Sequence, residues 1–546
     1  MITGIKINNI RSLDFDDYLH FAPLTILLGK NSSGKSTFLR TFPLIKQTLE
    51  IRRSTPLLWY GNFVDFGSFE DTVNKFLSEN EKIIKLGFKI KKNFLLEKYL
   101  ENDEFLKKLL SEKKEVEILT EISIMKKNDI EFINKIEISI EELKFLLLLN
   151  EKQELESITL NETKIENLNL KYDLLSRELI PSEFYKKKPS LDDFKFLRIE
   201  YIEDKIIKKI IEELNVDKKF EQEIYKKISK NINSFSKNNF DNLYNYFRLK
   251  DMLEFFYKNI GFYEDAKFVK IIKKLSPNAL NTHQFSKEKI QKLKNLSLML
   301  ELPLIFENIN SEIFGYFNNI SYIAPLRATA QRFYRIQGLD VDSIDSTGSN
   351  LPIYLKNLKK EDQIKFSNWI EENFGFKLIL IHNMGHVSLA IQKRKKEFNL
   401  ADNGFGFSQI LPILLQIWSK IFNLKGKRVG LNFLRSRDLV FLIEQPELHL
   451  HPAMQATLID LFIKVIKLGK KRKINIKFVL ETHSETIVNR VGRHIIEENY
   501  NSEDAKIFIF NPSQEKSIKL QETSYDSEGD IYEWPLGFFG AEDILL

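Results

Sequence analysis

The stretch Gly29-Lys30-Asn31-Ser32-Ser33-Gly34-Lys35-Ser36 constrains this chain more than any other. Four free positions separate its two glycines, the largely apolar run Leu24–Leu28 precedes it, and a helix is predicted from Lys35 to about Leu49. A strand that delivers a glycine loop into a helix N-terminus is built to hold phosphate: the glycines let backbone N–H groups curl round the oxygens, and the helix adds the positive end of its dipole. Gly29, Asn31, Ser33, Gly34, Lys35, Ser36 and Thr37 are therefore the candidate nucleotide-binding residues. Lys35 suits the β/γ-phosphates and Ser36 suits Mg²⁺, which makes ATP and Mg²⁺ the expected cofactors.

At 546 residues the chain exceeds one average domain, so one large nucleotide-binding fold interrupted by an insertion is expected. Lys and Arg total 82 against 76 Asp and Glu, and the resulting charge of +6 is too mild to argue nucleic-acid binding by itself. Without cysteine there is no disulfide, thiolate zinc site or cysteine nucleophile. Met1–Ile10 lacks a signal peptide's apolar core, and no run of about 18 apolar residues is present, so a cytoplasmic protein without a membrane partner is expected.

Gly4–Asn9 alternates as a strand, and Glu115–Met125, Ile130–Ile140 and Ile165–Tyr172 read as antiparallel strands. Beyond Pro189, apolar spacings of three and four over Asp192–Leu214, Phe220–Ile228, Asn242–Phe262 and Lys287–Leu300 predict a helical insertion without coiled-coil heptads. Strands at Tyr322–Ala324, Lys377–His382, Val387–Gln392, Leu439–Ile443 and Lys477–Glu481 then alternate with helices at Gln409–Phe422, Pro452–Leu468 and Ser484–Ile496. The expected fold is α/β, a mixed sheet with an antiparallel β lobe and a helical insertion. Its divisions are 1–180 for the loop-bearing part and β lobe, 181–318 for the insertion, 319–510 for the rest of the head, and 511–546 for an aromatic tail containing Trp534, Phe538 and Phe539.

Val440-Phe441-Leu442-Ile443-Glu444 is an apolar strand ending in a carboxylate, suited to the Mg²⁺ shell, although any buried strand can end in an acid. It continues into Gln445-Pro446-Glu447-Leu448-His449-Leu450-His451-Pro452, and Glu481-Thr482-His483-Ser484 closes the next strand. With these residues the chain resembles the ABC ATPases, specifically the soluble branch of overcoming-lysogenization-defect, RecF-like and Septu-type (PtuA-like) ATPases. The resemblance covers about residues 1–90 and 320–510. It implies that Glu444 holds the metal shell with Ser36, that His483 is the switch histidine on the γ-phosphate, and that Gly404, Gly406, Ser408 and Gln409 form a signature segment contacting nucleotide on the opposite subunit of a homodimer or larger oligomer.

Two departures qualify what the resemblance implies. Gln445 stands where the water-polarising glutamate is usual, and a neutral amide cannot take that proton, so hydrolysis is expected to be slow or absent, with Glu447 the nearest substitute carboxylate. Tyr60–Gly67 falls at the Q-loop but contains no Gln, leaving Asn62 or Asp65. His449 and His451 lack further ligands at metal spacing and read as turn-packing residues. The basic runs 393–396, 470–473 and 186–188 read as solvated ends, with phosphate-backbone binding as the alternative. The functional expectation from the resemblance is an ATPase that regulates a separate HNH-type nuclease in prokaryotic antiviral (Septu or retron-type) defence. A DNA-clamping repair or chromosome-associated ATPase is the alternative.

Overall fold

The structure is a computed structural model, and it describes residues 1–546 except 93–114, 183, 186–201, 215–286, 301, 336–340, 342, 384, 395, 403–404, 423–437, 513–517 and 533–546. Strands β1 (Ile2–Ile10), β2 (Leu13–Asp14) and β3 (Leu24–Gly29) lead into helix α1 (Lys35–Glu50). From β1 an antiparallel meander runs through β4 (Ile84–Lys92), β5 (Val116–Lys127), β6 (Ile130–Ile140), β7 (Leu143–Leu149) and β8 (Glu154–Leu160). The β5–β6 turn is Asn128-Asp129 with φ of 51° and 62°, the left-handed pair that tight hairpins favour. The single strand expected over Ile165–Tyr172 is instead split into β9 (Thr163–Ile165) and β10 (Leu170–Tyr172), because Asn167 and Asn169 take φ of 56° and 48° between them.

Strand β11 (Phe184–Tyr185) pairs with β10 at the far edge of this lobe, although its residues fall in the segment expected as insertion. Helices Ile202–Leu214 and Lys287–Met299 are joined by the Lys292–Glu213 ion pair, and Asn295 Nδ2 donates to Thr163 Oγ1 of the lobe. The helices expected at Phe220–Ile228 and Asn242–Phe262 lie outside the described residues. Helix α2 (Leu302–Asn318) packs on the head: Phe317 meets the ring of Phe42 on α1 at 6.2 Å and that of Phe88 on β4 at 5.8 Å.

The chain continues through β12 (Ile320–Ile323), β13 (Tyr334–Arg335), β14 (Lys377–Asn383), β15 (His386–Lys393) and β16 (Lys396–Asn399). Then follow α3 (Phe405–Phe422), β17 (Asp438–Glu444), α4 (Pro452–Arg472), β18 (Asn475–Glu481), α5 (Glu485–Ile496), β19 (Ala505–Pro512) and β20 (Ile518–Thr523). Among the described residues, one 16-stranded sheet has the order β11-β10-β8-β7-β6-β5-β4-β1-β2-β20-β19-β3-β18-β17-β12, with β9 beside β8. Strands β13 to β16 form a separate antiparallel sheet.

Neighbours β19, β3, β18, β17 and β12 are parallel. Every residue of β3 and β17 is buried, as expected of strands covered on both faces. Phe478 of β18 stacks between Phe441 of β17 at 5.0 Å and Phe462 of α4 at 4.4 Å, fixing that helix on the sheet. No described helix is long and apolar enough to cross a membrane.

Candidate functional site

The glycine loop leaves the carboxyl end of β3, where parallel sheets of this kind build their sites. Gly34 has φ of 92°, and a Cβ there would lie 2.2 Å from Ile518 Cδ1, so both the backbone and β20 demand glycine. Lys35 is 3% exposed, and its Nζ donates to the carbonyls of Gly29 at 2.8 Å and Lys30 at 2.9 Å. Burial holds its ammonium below the usual lysine range. Ser33 is buried and its Oγ has no partner, whereas Asn31 is exposed. The Thr37 hydroxyl accepts from Arg11 Nη1 at 3.3 Å.

Register sets the acids. Glu444 and Glu481 are Cα partners across β17 and β18, and Glu481 is the partner of Leu27 across β18 and β3. The Ser36 hydroxyl donates to Glu481 Oε1 at 2.7 Å, while Oε2 of Glu481 is buried without a partner. Burial, and then the nearby Glu444, push Glu481 up to about 7.

Ser36 is bonded to Glu481, and Glu444, the acid expected at the metal shell with Ser36, is bonded to other partners. Glu444 lies one strand further from β3, about 4.8 Å in an ideal sheet, and its oxygens are taken elsewhere. Arg40 Nε donates to Oε1 at 2.8 Å and Nη2 to Oε2 at 2.7 Å, and Tyr322 OH donates to Oε1 at 2.7 Å. The hydrogen bond to Glu444 raises the Arg40 guanidinium above its ordinary range.

The turn after β17 is held in place by backbone contacts. Gln445 has φ of 43°; its N–H donates to the Glu481 carbonyl at 2.8 Å, and Arg327 Nη2 donates to the carbonyls of Glu444 at 2.7 Å and Gln445 at 3.3 Å. Arg327 is 5% exposed, its Nε and Nη1 have no partner, and burial lowers it to about 10. Glu447, expected as a substitute base, accepts the His483 N–H on Oε1 at 2.8 Å, leaving Oε2 buried and unpartnered. Burial raises its carboxyl above the ordinary range. It therefore clasps the segment carrying His483, whose imidazole lies at the protein surface, with partial desolvation and then the charge of Lys35 holding it below its usual pKa.

Of the signature-like residues, Gly404 lies outside the described residues. Gly406 is packed so closely that a Cβ would stand 3.2 Å from the His449 carbonyl. Ser408 and Gln409 are buried, and Gln409 Nε2 donates to the Arg327 carbonyl at 3.3 Å. The amino end of α3 is thus tied to the Glu444–His449 turn within one chain. His451 caps α4 by accepting the Ala453 N–H on Nδ1 at 3.2 Å. Gln47 of α1 holds the Leu58–Val64 segment through the carbonyls of Leu58 and Val64 and the N–H groups of Phe63 and Val64. Asp65 there accepts the Gly67 N–H in its own turn, and Asn62 is exposed.

Sequence reasoning assigned no role to Glu481, Arg40, Tyr322 or Arg327. Glu481 carried the same signal as Glu444, a carboxylate closing an apolar strand, and Arg40 lies four residues after Ser36 on one face of α1. Tyr322 and Arg327 carry no local signal, because only the pairing of β12 with β17 brings them to the turn.

The basic runs divide. Lys470, Lys471 and Arg472 end α4, where cations complement the helix dipole, and Lys470 pairs with Asp504. Lys393 and Lys396 face each other across the β15–β16 turn. Residues 395 and 186–188 lie outside the described residues, as do Trp534, Phe538 and Phe539.

Comparisons with known proteins give one family: AAA_15, described as AAA ATPase domain, matches residues 1–488. No curated protein matches the chain. Among solved structures, the Smc head domain with an extended coiled coil from Pyrococcus furiosus, bound to the C-terminal domain of ScpA, is 12% identical with a TM-score of 0.32, covering 95% of this chain and 96% of that one. The SMC head domain from Thermotoga maritima is 8% identical with a TM-score of 0.33, covering 95% and 98%. The recombination mediator protein RecF-ATPrS in the RecFOR pathway is 10% identical with a TM-score of 0.28, covering 95% and 98%.

Proposed function

We propose, from the premise that this chain belongs to the AAA ATPase domain family over residues 1–488, that it binds ATP with Mg²⁺ at Gly29–Thr37 and hydrolyses it slowly. The fold is a mixed α/β P-loop ATPase head with an antiparallel β lobe. One observation carries the reading: buried polar atoms without partners stand at Ser33 Oγ in the loop and at Glu481 Oε2 beside the buried Lys35, with a third at Glu447 Oε2 on the carboxylate that clasps His483. Buried polar atoms are nearly always satisfied, so this cluster fits a phosphate and a cation. Ser36 and a carboxylate at the carboxyl end of the parallel strands would hold Mg²⁺, which when bound neutralises charge on the phosphates.

Lys35 would exchange its two carbonyl partners for phosphate oxygens, so that the ammonium meets full negative charge in place of carbonyl dipoles. His483, its pKa lowered, offers a neutral imidazole N–H to the γ-phosphate while Glu447 fixes its backbone. Gln445 carries no charge to draw a proton from water, which makes the turnover slow. The test is titration of ATP by calorimetry: wild type binds and Lys35→Ala loses binding, whereas equal affinity would sink the reading.

The finer reading is that the ATPase dimerises through Gly404–Gln409 and regulates a separate HNH-type nuclease in antiviral defence. Its support is the resemblance of residues 444–452 and 481–484 to Septu-type ATPases. Native mass spectrometry of the protein purified from its own operon tests it: a co-purifying nuclease supports it, and a lone protein or one bound only to DNA removes it.

A further inference from the structure

We propose that Glu481, not Glu444, is the carboxylate that ligates the divalent cation beside Ser36, and that Arg40 and Tyr322 keep Glu444 outside the ligand shell. The proposal rests on the reading of Gly29–Thr37 as an ATP and Mg²⁺ site.

Four observations carry it. The Ser36 hydroxyl, the side chain that the loop offers to a metal, points at Glu481 Oε1 at 2.7 Å. Glu481 is 3% exposed and its Oε2 has no partner, so a buried carboxylate stands with an open coordination site next to that hydroxyl. Hard divalent cations take such carboxylate oxygens. Strand order places Glu481 on β18, the immediate neighbour of β3, and Glu444 one strand beyond. Glu444 already accepts a two-pronged charged pair from Arg40 and a third bond from Tyr322, while Glu481 accepts only the Ser36 bond and keeps one oxygen free for the cation. Among the described residues no group of three or more His, Asp or Glu side chains forms a metal site by itself, so phosphate oxygens and water complete the shell.

Glu444 fixes Arg40 and Tyr322 against the turn, and Glu481 meets the cation. With metal absent, an ionised Glu481 beside the phosphates opposes nucleotide; with metal bound, it favours it.

The experiment titrates Mn²⁺, standing in for Mg²⁺, into the full chain with ATP and counts bound Mn²⁺ by electron paramagnetic resonance. Glu481→Gln keeps the size of the side chain and removes the charge. It is expected to weaken nucleotide-dependent Mn²⁺ binding about tenfold or more, while ATP binding in EDTA stays equal to wild type or tightens. Glu444→Gln gives a distinctly smaller loss of Mn²⁺ affinity, and Glu481→Asp, which retains a charge, recovers part of the Glu481→Gln loss. An unchanged Mn²⁺ affinity in Glu481→Gln, or a larger loss in Glu444→Gln, overturns the proposal while leaving the ATP site standing. A wild type that binds ATP no better than Lys35→Ala removes the site reading, and the proposal with it.

Discussion

Arg40 gives both Nε and Nη2 to Glu444, whose side chain is 2% exposed. A carboxylate that deep stays ionised only with a hydrogen-bonded countercharge, and removing one member of a buried pair leaves the other uncompensated. Arg40→Met is therefore expected to cost about 3 kcal/mol in urea unfolding, and adding Glu444→Gln to recover more than half of it. A single variant as stable as wild type would show that Tyr322 suffices alone. Residue-scale chemistry was partly legible in advance. The glycine loop and the acid ending β17 follow from spacing, because phosphate loops and buried strands have local rules. The partners of that acid do not, since Tyr322 lies 122 positions away and Arg40 lies 404.

At the scale of elements, strands and helices with strong periodicity were readable to within a few residues: α1, β6, β17, α4 and β18 all start or end near the expected positions. Strands β19 and β20 were not foreseen, although β19 is the direct neighbour of β3 and β20 supplies Ile518 against Gly34. The turn after β20 then docks on α5, where Tyr525 OH donates to the Val488 carbonyl at 3.0 Å and a Cβ on Gly492 would stand 2.4 Å from the Gly529 carbonyl oxygen. Gly492→Ala is expected to push this turn off the helix at about 1–3 kcal/mol, with faster amide exchange over residues 525–532. Wild-type protection of those amides in the variant would show that the turn yields without cost.

In the whole molecule one continuous sheet joins a parallel half, which carries the loop and the acids, to an antiparallel lobe entered through β1 and β4. The amino end of α3 touches His449 through Gly406 and the Arg327 carbonyl through Gln409, so on the proposed function a subunit docking there would reach the turn after β17 through these residues. On the proposed function, sedimentation velocity should give a dimer for wild type with ATP and Mg²⁺ and a monomer for Lys35→Ala; a wild-type monomer throughout would count against dimerisation by nucleotide. Read by itself, the sequence determined the phosphate loop, the strongly periodic strands and helices and the family resemblance, because each rests on residues close together in the chain. Only the tertiary structure decided which carboxylate stands beside Ser36. Strand order and register bring Glu481 next to β3 and hand Glu444 to Arg40, and those pairings form between segments hundreds of residues apart that carry no local mark of one another.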